Sequence, residues 1–156
     1  MRSTWGKSVC FLKKFRLLRT GPAGDTMDTY FDLGGYSFPV TTQSTEAQTW
    51  FDRGILWTYG YNHEEAVTCF ERAIDADPKC AMAHWGAGYA SGPNYNMPWD
   101  LFDDAGRAAA ARAGYTHARK ALDLIDGVTG WEAALIHALP ARYPKPDPLD
   151  PEAMKA

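Results

Sequence analysis

Between Ala47 and Pro78 the chain spaces large rings and small residues in a way that leaves few folds open. Gly54 follows Trp50 by four positions, and Trp57 follows Gly54 by three. Phe70 follows Ala66 by four, Ala73 follows Phe70 by three, and Pro78 closes the stretch. Residues three and four apart lie on one face of an α-helix. Each half therefore presents bulky rings beside a notch on a single face. Two consecutive helices built this way approach closely at Gly54, Ala66 and Ala73, while Trp50, Trp57 and Phe70 fill the seam. Pro78 ends the second helix because the residue before a proline is pushed out of helical angles.

Local signals place the elements. Thr45 with Gln48 reads as a capping box opening a helix near Glu46, and Gly60 stops it. Asn62 with Glu65 caps a second helix with Ala66, Val67, Phe70, Ala73 and Ile74 on its apolar side. A third helix runs from about Ala81 to Ala90 and meets the breaker Gly92-Pro93. Residues 92–99 form a loop, followed by an Ala-rich helix from about Asp103 to Ile125, stopped by Gly127. Thr129 with Glu132 opens a short helix through Leu139. Pro144, Pro146 and Pro148 make a stiff extended spacer, and Asp150-Pro151-Glu152 announces a further helix start. Residues 27–43, with Tyr30, Phe31, Tyr36 and Phe38 between Gly34-Gly35 and Pro39, are expected to lie extended against the first helices.

A shift of 34 positions places Ala47 on Ala81, Phe51 on Trp85, Gly54 on Gly88 and Trp50 on His84. With this period, the seven residues Trp50, Gly54, Trp57, Ala66, Phe70, Ala73 and Pro78 closely resemble the tetratricopeptide repeat family. Arg53 departs from the pattern, which usually has Leu there. The second repeat is degenerate: its second helix is delayed, with Ala118, Leu122 and Ile125 standing 52 positions after Ala66, Phe70 and Ala73. The strings Asn-His-Glu-Glu-Ala (62–66), Cys-Ala-Met-Ala-His-Trp-Gly (80–86) and Gly-Pro-Asn-Tyr-Asn (92–96) are similar to a group of longer tetratricopeptide proteins of bacteria and fungi. Some fungal members lie among secondary-metabolite genes, which implies an accessory role. The resemblance implies an all-α fold of about five helices in stacked antiparallel hairpins. It divides the chain into a basic, unstructured extension (1–26), a helical domain (27–143) and a Pro-rich spacer with the start of a truncated helix (144–156). Within the domain, repeat 1 covers 47–80, repeat 2 covers 81–130 and a partial third hairpin starts at 131. The chain then looks like the N-terminal part of a longer array, whose exposed apolar end would favour self-association.

Charge bounds the partners. Residues 1–24 hold six basic residues and no acid, whereas residues 25–156 hold ten basic and nineteen acidic residues. The first segment reads as an organelle presequence or as a plain extension ahead of Met27. The overall charge of −3 gives no general affinity for nucleic acid. No stretch reaches the roughly 18 apolar residues that a membrane span requires. Three cysteines, an unpaired number in a chain of this size, point to a reducing compartment such as the cytoplasm.

Family position assigns a groove on the inner, helix A side to Gln48, Phe51, Ile55, Tyr59, Met82, Trp85 and Tyr89, fit for an unidentified peptide or protein. The competing reading packs these aromatics against residues 27–43, with Tyr36-Ser37-Phe38-Pro39 lying in its own groove. The loop residues Asn94, Tyr95 and Asn96 either contribute to binding or plug the irregular second repeat. A metal-dependent factor or enzyme using His63, Cys80 and His84 is the alternative function. It lacks a CxxC, HxxxH or HExxH spacing. No nucleophile elbow or phosphate loop is present, so no catalytic residue and no cofactor is assigned. Paired acids such as Glu64-Glu65 sit in first helical turns, where the helix dipole already favours them.

Overall fold

The computed structural model describes residues 30–147. The expectations for residues 1–26, and for a helix start at Asp150-Pro151-Glu152, lie outside the described residues. The chain divides into two compact units, Met1–Asp32 and Leu33–Ala156. In the first, Tyr30 and Phe31 meet edge to face with centroids 5.4 Å apart.

The second unit is all-α. Its described residues form α1 (Thr45–Tyr59), α2 (His63–Ala76), α3 (Ala81–Ser91), α4 (Asp104–Asp123) and α5 (Gly130–Ala138). Short 3₁₀ turns follow at Trp99–Leu101 and Leu139–Arg142. No described helix is long and apolar enough to cross a membrane.

The caps follow the sequence closely, with one displacement. Ser44 rather than Thr45 is the N-cap of α1, its hydroxyl accepting the Ala47 N–H at 3.1 Å. The lead-in fixes this earlier start. The Thr42 hydroxyl accepts the Ser44 N–H at 3.1 Å and donates to Asp77 at 2.5 Å, tying the chain to the end of α2. Asn62 caps α2 by accepting the Glu65 N–H, and Asp103 caps α4 by accepting the Gly106 N–H at 2.7 Å. Gly60 ends α1, yet the left-handed residue of that turn is Tyr61, with φ 60°. The fourth helix ends at Asp123, short of Ile125.

The first three helices pack against one another around Phe70. A Cβ on Gly54 of α1 would stand 2.6 Å from Phe70 Cε1, and a Cβ on Gly86 of α3 would collide with the same ring atom. Phe70 of α2 thus lies against a glycine notch on each neighbouring helix, with the Phe51 ring 5.5 Å away. The departure at Arg53 has a local reason: its guanidinium lies 4.5 Å from the Trp50 ring, and Arg72 from α2 lies 4.4 Å from that ring.

A second cluster closes the other end of the unit: Trp99, Ala110, Ala118, Leu139 and Tyr143. Tyr143 fills the notches at Gly92 and Gly114 and donates its hydroxyl to Gly88 O at 2.9 Å. Burial raises its pKa to about 12, so it stays a neutral donor. Trp99, at the end of the loop, is buried in this cluster. The adjoining turn closes on itself through Asn94, which accepts the Asn96 and Met97 N–H groups at 2.9 and 3.1 Å.

Candidate functional site

The residues assigned to the groove separate into two groups. The first is covered by the chain's own lead-in. The Gln48 side chain accepts the Val40 N–H at 2.9 Å and donates to Phe38 O at 3.0 Å. Asp52, one turn further along α1, accepts the Phe38 N–H at 2.9 Å and the Gln48 amide at 2.8 Å. Two side chains thereby hold the backbone of an extended segment. Phe38 stacks on Phe51 at 6.4 Å and meets Trp131 of α5 edge to face at 5.0 Å. Phe51 is fully buried and Met82 is 1% exposed, so both are core residues rather than open surface.

The second group remains open. Ile55, Tyr59, Trp85 and Tyr89 line a cavity of about 250 Å³, together with Tyr36, Phe38, Thr58, Phe70 and Leu135. Its floor is apolar and its rim carries tyrosines: Tyr59 is 80% exposed, Tyr36 52% and Tyr89 39%. Trp85 is fixed by its indole N–H, which donates to Leu135 O at 3.1 Å, and by stacking on Tyr89 at 5.2 Å. Arg142 reaches across the other face of this region to Tyr89 O and Pro93 O, its guanidinium 5.0 Å from the Tyr89 ring. Asn94, Tyr95 and Asn96 do not line the cavity; Tyr95 stands 89% exposed at its loop tip.

Sequence reasoning passed over several residues that shape this site. Asp52 is one: its only signal was an i, i+4 relation to Gln48. Glu132 is another. It was read as half of a capping box, and its carboxylate does accept the Thr129 N–H and hydroxyl, both at 2.7 Å. It also accepts the Thr41 N–H and hydroxyl, both at 2.7 Å, and so moors the lead-in to α5. The group is fully buried. Burial alone would raise its pKa, but the hydrogen bonds from Thr41 and Thr129 outweigh that and hold it below the usual carboxylate value.

The three residues of the metal reading are not gathered together. His63, at the start of α2, faces Ala90 O at the far end of α3, 3.4 Å from Nδ1. Cys80 and His84 stand at the beginning of α3. Among the described residues, no group of three or more His, Cys, Asp or Glu side chains is arranged to hold a metal ion. Burial raises the Cys80 thiol to about 11, which leaves it protonated and unreactive at neutral pH. His84 instead meets His117 of α4, the two Nδ1 atoms 3.4 Å apart.

Burial lowers the pKa of His63, His84 and His117 alike. The unfolded chain therefore takes up protons near 6.5 before the folded one does. The stabilisation is complete above that pH and is lost as pH falls through the lower folded values. Thermal melting of metal-free protein is expected to show a midpoint that drops between pH 7.5 and 5.5. A midpoint that is flat or rises over this range would contradict the burial of these rings.

In comparisons with known proteins, no family model matches the chain, and neither a curated protein nor a solved structure matches it significantly.

Proposed function

We propose that the protein is an interaction module of tetratricopeptide-like stacked hairpins that binds an extended peptide or protein segment beside its own lead-in. The observation that carries this reading is how α1 holds residues 38–40. Gln48 and Asp52 grip the main chain rather than side chains, a mode suited to extended segments. Beside the lead-in, whose Tyr36 and Phe38 form part of its wall, lies the cavity lined by Ile55, Tyr59, Trp85 and Tyr89. Tyrosine and tryptophan around an apolar floor supply large, rigid contact area at low entropic cost, as at protein interfaces. Such a site favours a partner that inserts one large apolar side chain. An accessory role in secondary metabolism is part of this reading.

A library of extended peptides tests this directly. Selected binders are expected to carry a large apolar residue. The exchange of Tyr59 and Tyr89 for Ser should weaken them by about tenfold or more while leaving the circular dichroism spectrum unchanged. Phe51 and Met82 are poor test positions, because their truncation would damage the core. Equal affinity in the double variant, or no selection above background, would refute the groove reading.

A further inference from the structure

The meeting of His84 and His117 has a geometry that a hydrogen bond does not explain well. Their Nδ1 atoms are 3.4 Å apart, and the rings lie 5.6 Å centroid to centroid with a 35° tilt. A good N–H bond to an acceptor spans roughly 2.7–3.2 Å. Two imidazole nitrogens each about 2.0–2.1 Å from a tetrahedral ion stand roughly 3.3–3.4 Å apart. The observed separation matches the second arrangement. We propose that His84 Nδ1 and His117 Nδ1 form a binding site for a divalent transition-metal ion that ties α3 to α4.

The surroundings of His84 support the assignment. Its Nε2 lies 3.4 Å from Pro78 O, as long a contact as the one to His117, and that carbonyl favours the tautomer with the hydrogen on Nε2. That tautomer leaves the lone pair on Nδ1, facing His117. Metal-binding histidines commonly orient themselves in this way through a backbone carbonyl. His84 is 7% exposed and fixed in the helix interface, whereas His117 is half-buried.

The charges around the pair are mixed. Lys120, on α4 after His117, acts on His84 against a cation. Asp77 at the end of α2 and Glu132 on α5 act on Cys80, one turn before His84. Two neutral nitrogens with water completing the shell select imidazole-seeking ions such as Zn²⁺, Ni²⁺ and Cu²⁺ over Mg²⁺ or Ca²⁺. This site is independent of the peptide groove and does not involve His63.

Full-length protein without a histidine tag, freed of metal by a chelator and titrated with Zn²⁺ at pH 7.5, tests the assignment. One ion per chain is expected, with a rise in the thermal midpoint at saturating Zn²⁺. His117→Gln, at a half-buried position, should weaken binding by about tenfold or more, and His63→Gln and Cys80→Ser should leave it intact. Should His117→Gln fail to fold, ring NMR of the unaltered protein gives the answer: Zn²⁺ should move the His84 and His117 signals and leave His63 and His137 in place. The site is overturned by an absence of binding, by binding that His117→Gln retains, or by ring shifts confined to His63 or His137.

Discussion

Replacing Phe70 by Ala is expected to destabilise the protein by about 3–5 kcal/mol, enough to unfold a domain of ordinary stability. The ring is 1% exposed and serves two helix contacts at once, against Gly54 and Gly86. Its removal opens a cavity that neither glycine can fill. The complementary change, Gly86→Ala, pushes a methyl group into the ring and should cost about 1–3 kcal/mol. The two effects are coupled. In a Phe70→Leu background the Gly86→Ala penalty should shrink, because the smaller side chain vacates the notch. Urea unfolding of the four proteins measures the coupling. An equal Gly86→Ala penalty in both backgrounds would show that the ring does not occupy that notch.

Loss of the Glu132 carboxylate is expected to have the next largest effect. Glu132→Ala removes the shared acceptor of the Thr41 and Thr129 N–H and hydroxyl groups and empties a buried position, at a cost of about 1–3 kcal/mol. It also unties the lead-in from α5, so a protease should cut residues 33–43 sooner in the variant than in the parent. The pH dependence has a definite sign. The folded pKa of Glu132 lies below its ordinary value of 4.5. The stabilisation it gives is therefore present above that pH and lost as acid protonates it in the folded state. The loss of stability between pH 5 and 3 should be smaller in Glu132→Ala than in the parent protein. Identical acid profiles, or an unchanged cleavage rate, would remove Glu132 from this role.

Much of the helical framework was legible because its signals are local. Asn62 with Glu65 and Thr129 with Glu132 each act within one helical turn, so reading along the chain finds them. The alternation of Gly54, Ala66 and Ala73 with Trp50 and Phe70 marked a helix seam for the same reason. The α1 start was misplaced by one residue because Thr42, held by Asp77 from 35 residues away, set it. The groove residues were read as one surface. The structure divides them into a covered part at Gln48 and Phe51 and an open part at Ile55, Tyr59, Trp85 and Tyr89.

By itself, then, the sequence determined which segments are helical, where most of them stop, and which faces are notched for close approach. Those properties depend on residues within a few positions of one another. Only the tertiary structure decided which side chains hold the lead-in, that Glu132 anchors it, that Tyr143 fills the gap at Gly114, and that His84 meets His117 rather than His63. These pairings join separate elements, 8 to 91 residues apart, or choose among several candidates of equal chemistry. Helix periodicity fixes the direction of a side chain on its own helix. The residue it meets depends on how the helices turn and stack, which no local spacing encodes.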